Sequence, residues 1–329
     1  MSKTILGVDI GINRLKVALC RGGKVLKSAV ADMPEGLIYE DKLTSSEAMG
    51  ILLKETLRQN GIRCKHAAMI LPGEQSYLRV VNPPLMSREQ LEVNLPYEFS
   101  DYISDDLTNY VYDYAMLSDP RKSEDGHMDI MAVAAPKSLL AETRALLKKA
   151  GLKLVRLVPP EVAYPSIFRV NAPELIADEH EYCVVDLGYS AARVYMFRGG
   201  RHMVTRRLEQ GLHVLDEACA LLFDCEKEQA HSYFMSNHED CQHSEVCMGL
   251  YDEIAVELMR SLNFYRFSTP DSSLEDVWLC GGGIMVPPLR KAIEDTVGVT
   301  VHEITEILRG NVDPEHGVGL SRAVGATIE

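Results

Sequence analysis

Two short apolar runs separated by an acidic turn open the chain. Val8-Asp9-Ile10-Gly11 ends one run in a carboxylate and a glycine, and Leu15 to Leu19 returns as a second run. Arg21-Gly22-Gly23-Lys24 supplies the next turn, so residues 7–23 read as a strand, a tight turn and a strand. The same pattern recurs over residues 184–200. Asp9 matches Asp186, Gly11 matches Gly188, Lys16 matches Arg193 and Val17 matches Val194, each pair 177 residues apart with no gap. An ungapped echo halfway along a chain predicts two copies of one supersecondary unit.

Periodicity outlines the rest. A polar stretch follows the first hairpin, and then Leu52, Leu53 and Leu57 fall at helical spacing within 45–60, with Gly61 as the stop. Lys65 to Leu71 reads as a buried strand. Residues 77–158 read as an insertion of order β-α-β-β-α-β: a strand at Tyr77–Val81, a helix opened by the capping box Ser87-Arg-Glu-Gln90, strands at 110–117 and 128–134 joined by a solvated turn at 118–126, a helix at 137–150 and a strand at 152–158. That order predicts a ferredoxin-like sandwich. After Pro159-Pro160 a helix from Glu161 links the halves. A helix over 212–222, an irregular polar stretch over 224–247 and a long helix over 250–267 follow the second hairpin, the last carrying Leu258, Leu262 and Tyr265 on one face. A strand at 275–279 runs into Cys280-Gly281-Gly282-Gly283. A helix follows from Pro287, then a short extended piece at 299–302 and a closing helix at 318–327.

Composition narrows the function. At 329 residues, with 46% hydrophobic and 25% charged positions, the chain suits two lobes with separate cores. A net charge of −14 argues against nucleic acid and against direct adhesion to an anionic membrane. No apolar run approaches the ~18 residues of a membrane span, and a strand begins by Thr4, so no signal peptide is expected. Eight scattered cysteines, several within apolar segments, suit a reducing cytosol.

The paired turns suggest a chemistry. An Asp at a strand end repels bare phosphate, and Mg²⁺ between them reverses that sign. Glycine lets backbone N–H groups reach phosphate oxygens. Asp9 and Asp186 are thus candidate metal ligands, the alternative being two ordinary Asp-x-Gly hairpins. Gly281, Gly282 and Gly283 either admit a ligand closely at a helix start or merely turn strand into helix. Glu257 and Arg260 share a helix face, as nucleoside contacts or as a surface ion pair. Glu161 either orients a water toward a terminal phosphate or complements a helix dipole. Cys225, His231, His238, Cys241, His243 and Cys247 form a Cys/His-rich tract that fits no standard zinc spacing, which leaves metal binding and a bland loop both open.

In order, Asp9-Ile-Gly11 with Lys16, Asp186-Leu-Gly188 and Gly281-Gly-Gly283 resemble the nucleotide-binding superfamily of actin, heat-shock chaperones and sugar kinases. Leu71-Pro-Gly73 with Arg79 and Pro84, Glu98 near Tyr102, and Glu257-Leu-Met-Arg-Ser-Leu-Asn-Phe-Tyr265 narrow the resemblance to the PilM family, actin-like proteins of type IV pilus assembly akin to the division protein FtsA. The resemblance implies an α/β, two-lobed actin-like (ribonuclease H-like) fold. Its lobe 1A would occupy 1–76, an inserted 1C-like subdomain 77–158, and a linking helix 159–178. Lobe 2 would span 179–310, with a 2B-like insertion at about 212–270, and a closing helix over 311–329 would return to lobe 1A.

The resemblance also implies ATP and Mg²⁺ as cofactors, with Asp9 and Asp186 organising the metal. Gly11, Ile12, Asn13, Lys16, Gly188, Tyr189, Ser190 and Arg193 would hold phosphates. Gly211, Glu257, Arg260, Gly281, Gly282 and Gly283 would surround the nucleoside, and Glu161 would be the catalytic candidate. The implied partners are the N-terminal cytoplasmic peptide of a PilN-like membrane protein, in a groove between 1A and 1C, and other inner-membrane platform proteins of the pilus. Homo-oligomerisation is left open. Such a protein would work in the cytoplasm, peripheral to the inner face of the cell membrane. Ala191, Ala192 and Arg193 replace the family's usual hydroxyl run after the second glycine, so at most a slow ATPase is expected. A small-molecule kinase and an FtsA-like division filament are the competing functions.

Overall fold

The computed structural model describes residues 3–39, 42–117, 126–177, 179–313 and 317–329. The turn expected at 118–126 lies, but for Gly126, outside the described residues.

The first unit is a three-strand meander, β1 (Thr4–Ile10), β2 (Arg14–Arg21) and β3 (Lys24–Asp32). A small hairpin, β4 (Ile38–Tyr39) with β5 (Lys42–Leu43), leads to α1 (Ser46–Gln59) and β6 (His66–Ile70). Ser45 caps α1 through its side chain. The insertion follows: β7 (Tyr77–Val81), α2 (Arg88–Asn94), β8 (Tyr110–Met116) and β9 (Ile130–Pro136). The Ser87/Gln90 capping box forms as expected, and Pro96 tightens the end of the helix into a 3₁₀ turn. Then come α3 (Lys137–Lys149), β10 (Lys153–Val158) and α4 (Pro160–Asn171).

The second half opens on β11 (Glu181–Leu187), β12 (Ala192–Arg198) and β13 (Arg201–Leu208). It continues through α5 (His213–Phe223), α6 (Lys227–Met235), α7 (Glu245–Ser268), β14 (Asp276–Cys280), α8 (Pro287–Thr296) and β15 (Thr300–Glu303). The chain then returns through β16 (Arg309–Gly310) to α9 (Ser321–Ala326).

The strand orders are β10-β6-β1-β2-β3-β16 in one large sheet and β13-β12-β11-β14-β15 in the other. The repeat runs deeper than the sequence motif. Both meanders turn on two left-handed glycines, Gly22 and Gly23 (φ 56° and 76°) and Gly199 and Gly200 (φ 55° and 73°), the conformation a type I′ hairpin needs. Both also carry an irregularity at the matching place, between Leu19 and Cys20 and between Met196 and Phe197. The stretch after Gly23, expected to be merely polar, is the third strand of the unit.

α4 and α9 form a central layer touching both sheets. Ala18, Cys20 and Val25 of the first sheet share one core with Tyr164 and Phe168 of α4, Val324 of α9, and Tyr182 and Phe197 of the second sheet. Outer cores lie on the far faces, under α1 and α3 in the first lobe and under α5 to α8 in the second. β11, covered on both faces, is buried along its whole length.

Three expectations need correction. The inserted subdomain is smaller than 77–158, and it is not a ferredoxin-like sandwich. β10 joins the first sheet parallel to β6, and Leu146 and Leu147 of α3 pack with Leu53 and Leu57 of α1. Residues 137–158 therefore belong to the first lobe, and the insert is the sheet β7-β9-β8 with α2. The return to the first lobe starts before 311, because β16 pairs with β3. Finally, the stretch 224–247 contains α6 and a 3₁₀ segment, His238–His243, rather than irregular chain.

Candidate functional site

The repeated meanders bring their acidic turns face to face. Asp9 ends β1 and Asp186 ends β11, both nearly fully buried. Cross-strand register sets Lys16 opposite Asp9 and Arg193 opposite Asp186. The two cations behave differently. Lys16 Nζ stays 3.4 Å from Asp9 Oδ2. Arg193 reaches across the cleft to an ion pair with Glu74 of the first lobe.

A part-buried arginine that the sequence reading missed sits between the two carboxylates. Arg322, on α9, donates from Nε to Asp9 Oδ2 at 3.2 Å; its Nη2 lies 3.1 Å from the same oxygen and its Nη1 lies 3.3 Å from Asp186 Oδ2. The Tyr164 hydroxyl donates to the same Asp186 oxygen at 3.2 Å. Burial alone would raise the pKa of Asp9, but the charges of Arg322 and Lys16 hold it below the ordinary carboxylate value. Burial likewise works against the charge on Arg322, and Asp9 and Asp186 outweigh it.

The glycines do steric work. A Cβ on Gly281 (φ 89°) would stand 2.5 Å from Asp186 Oδ1, and one on Gly211 would meet Tyr189 O at 2.4 Å and Ala191 N at 2.5 Å. Gly211 thus presses the 188–191 turn into place from behind. Gly283 packs against Leu187 and Leu212 under the cleft floor.

Together these groups line a cleft of about 680 Å³ between the lobes. Asp9, Gly11, Ile12, Asn13, Lys16, Glu161, Asp186, Gly188, Tyr189, Ser190, Arg193, Gly281 and Gly282 all face it, as does Arg322. One arm of it is apolar, reaching Leu71, Leu139 and Leu146 of the first lobe.

Glu257 and Arg260 do not line the cleft. They pair with each other on the exposed face of α7, so the surface ion pair is what forms. The Cys/His tract also dissolves into structure. Cys241 and Cys247 are core residues, His231 pairs with Asp216 at 2.8 Å, His238 stacks on Tyr233, and His243 pairs with Asp240. Among the described residues no group of His, Cys, Asp and Glu is arranged to hold a metal.

Glu161 begins α4 and accepts a hydrogen bond from Thr205 Oγ1 at 3.0 Å. Since that hydroxyl spends its hydrogen on Glu161, His202 Nε2, 2.8 Å away, must be the donor to Thr205. Burial pushes the Glu161 carboxyl above its ordinary value and His202 down to about 4. The relay runs from the cleft to a smaller cavity of about 400 Å³ between β7 and β13.

On the insert, the residues that narrowed the resemblance meet at one spot. Arg79 donates to the Glu98 carbonyl and lies over the Tyr102 ring at 4.0 Å.

Two sheets led by duplicate meanders, with a central helical layer and a cleft between paired acidic turns, define a two-lobed actin-like protein. The chain is similar over 99% of its length to a solved PilM-PilN type IV pilus biogenesis complex, at 23% identity, with 98% of that chain covered and a TM-score of 0.84. It is also similar to ethanolamine utilization protein EutJ from Carboxydothermus hydrogenoformans, at 15% identity over 99% of this chain and 90% of that one, with a TM-score of 0.62. At those identities the likeness establishes the fold. The family model for type IV pilus assembly protein PilM matches residues 7–313, and the chain belongs to that family. Among the described residues no helix is long and apolar enough to cross a membrane.

Proposed function

We propose that the cleft binds ATP, and that the protein is a scaffold of type IV pilus assembly, held at the inner face of the membrane by the N-terminal peptide of a PilN-like protein. The observation that carries the nucleotide reading is the convergence of two glycine-bearing turns and Lys16 on one cleft. The backbones of Gly11 to Asn13 and of Gly188 to Ser190 would meet phosphates, Lys16 would supply charge, and Gly281 with Gly282 would admit the nucleoside. A solved relative described as a complex with PilN supports the partner. The first lobe and the insert are joined through the buried cluster Leu71, Ala135 and Leu139, and the groove beside that junction is the seat proposed for the peptide.

Glu161 is a weak catalyst candidate. Its oxygen is tied to Thr205, so turnover is at most slow, and lobe closure on ATP is the more useful output: nucleotide favours one lobe arrangement over another and so tunes peptide affinity. Mg²⁺ fits the carboxylate pair poorly as folded. Arg322 engages the Oδ2 atom of each, and no step here runs through a metal.

Calorimetric titration of ATP into wild type and Lys16→Ala tests the site. Removing a charge-assisted contact weakens binding by about tenfold, and equal affinity would remove the phosphate assignment. Fluorescence anisotropy with a labelled PilN-like N-terminal peptide tests the scaffold role. Peptide affinity that differs between ATP-loaded and nucleotide-free protein is expected, and absence of binding in both would sink it.

A further inference from the structure

We propose that Arg322 is the resident cation of this cleft: it stands where the paired carboxylates would otherwise gather a divalent ion, so that polyphosphate is received by side-chain cations and needs no metal. The proposal rests on the nucleotide reading for its ligand, but its core, that the carboxylate pair is already neutralised, stands on geometry alone.

The first argument is coordination. Mg²⁺ needs oxygens at about 2.0–2.1 Å in a near-octahedral shell. Asp9 Oδ2 already accepts from Arg322 and lies near Lys16, and Asp186 Oδ2 is engaged by Arg322 and Tyr164. A guanidinium is a planar fork suited to bridging two carboxylates. A metal entering here would have to displace it and leave a largely enclosed guanidinium, with a side chain only 18% exposed, without its partners, which is costly.

The second argument is charge. Asp9 and Asp186 are balanced by Lys16 and Arg322. The pair therefore presents no surplus negative charge that a divalent ion must cancel before phosphate can approach. Arg207 also lines the cleft and adds to its positive potential.

The third argument is placement. Arg322 is not a long side chain that wanders in. α9 is wedged against β1 and α4 at contacts only glycine permits: a Cβ on Gly7 would lie 1.7 Å from Ala323 O, and one on Gly325 would lie 2.2 Å from Ala163 O. Ser321 and residues 323–326 are buried. The backbone that carries the guanidinium is therefore fixed relative to Asp9, and the charge is preorganised. The same side chain ties Asp9 of one lobe to Asp186 of the other, so it also sets their separation.

The experiment has two independent readouts on the full chain. ATP is titrated calorimetrically into wild type, Arg322→Met and Arg322→Lys, in EDTA and in excess Mg²⁺. Wild-type affinity is expected to differ by less than about threefold between the two media. Arg322→Met is expected to lose about tenfold or more in EDTA and to recover with Mg²⁺, while Arg322→Lys lies between. Separately, melting temperatures are measured with Mn²⁺ and no nucleotide. Mn²⁺ should stabilise Arg322→Met and leave wild type unchanged, because only the variant exposes a carboxylate pair to the ion.

Wild type that binds ATP only with Mg²⁺, or that Mn²⁺ stabilises, overturns the proposal without any variant having to fold. If wild type binds no ATP in either medium, the nucleotide reading falls, and the Mn²⁺ comparison alone then decides whether Arg322 takes the cation position.

Discussion

Thr205 donates its single hydroxyl hydrogen to Glu161 and accepts one from His202, so the relay requires a proton on His202 Nε2. His202 is 9% exposed and its Nδ1 has no partner. Burial lowers its pKa from 6.5 to about 4. The unfolded chain therefore takes up the proton first. Stability is complete above pH 6.5 and is lost as pH falls from 6.5 through 4, by about 3 kcal/mol in all. Glu161 acts with the opposite sign, since its raised folded value means acidification toward 4.5 favours the fold. Urea unfolding across pH should show the loss in wild type and a much flatter profile in His202→Gln; parallel profiles would mean the imidazole is not held neutral.

At this scale, what the sequence revealed depended on repetition. Asp9, Asp186 and their glycines were legible because the motif occurs twice in register. Arg322 was not, because nothing in linear order says that the last helix returns to the cleft. The available signal was a lone charge inside a run of small and apolar residues, Val318 to Thr327. Glu257 and Arg260 carried family expectation, yet their helical spacing equally specified the exposed pair that forms.

Among the elements, α9 bears the most consequence for its six residues. Gly325→Val would drive a side chain into Ala163 O, lift α9 from α4 and misplace Arg322. A loss of about 2–3 kcal/mol in stability is expected, together with weaker ATP binding. The control is Gly249→Ala on α7, where an added Cβ meets nothing within 4 Å and helix propensity should contribute about 0.5–1 kcal/mol of stabilisation. Chemical denaturation of both variants checks the pair, and a harmless Gly325→Val would show that the helix does not depend on that contact.

Element types were mostly readable, but their partners were not. The β-α-β-β-α-β order over 77–158 contained the right pieces, whereas the choice of β6 as neighbour for β10 is tertiary. β3 escaped notice because its two buried residues, Val25 and Ala29, are interleaved with Lys24, Lys27 and Ser28. α6 was missed because left-handed residues, Asp224 and Asn237, bracket a short and weakly patterned helix.

For the whole molecule, two ion-pair bridges among the described residues join the lobes at the cleft: Arg322 in its depth and Glu74 with Arg193 nearer the solvent. The outer pair is partly exposed, so Glu74→Gln should cost under about 1 kcal/mol of stability. Its larger effect should be on opening. Hydrogen exchange at the 188–191 turn is expected to accelerate in Glu74→Gln and to be restored toward the wild-type rate by ATP. Unchanged exchange would mean that this bridge does not restrain the lobes.

The two acidic turns are near copies, yet their cations have parted ways. Lys16 pairs with its own aspartate, and Arg193 pairs with Glu74 of the other lobe. A duplicated cradle would by itself offer an elongated anion two equivalent orientations. Here one turn keeps its ammonium on its own aspartate while the guanidinium of the other pairs across the cleft with Glu74, so the two halves of the cradle are not interchangeable and an elongated anion meets different partners at its two ends.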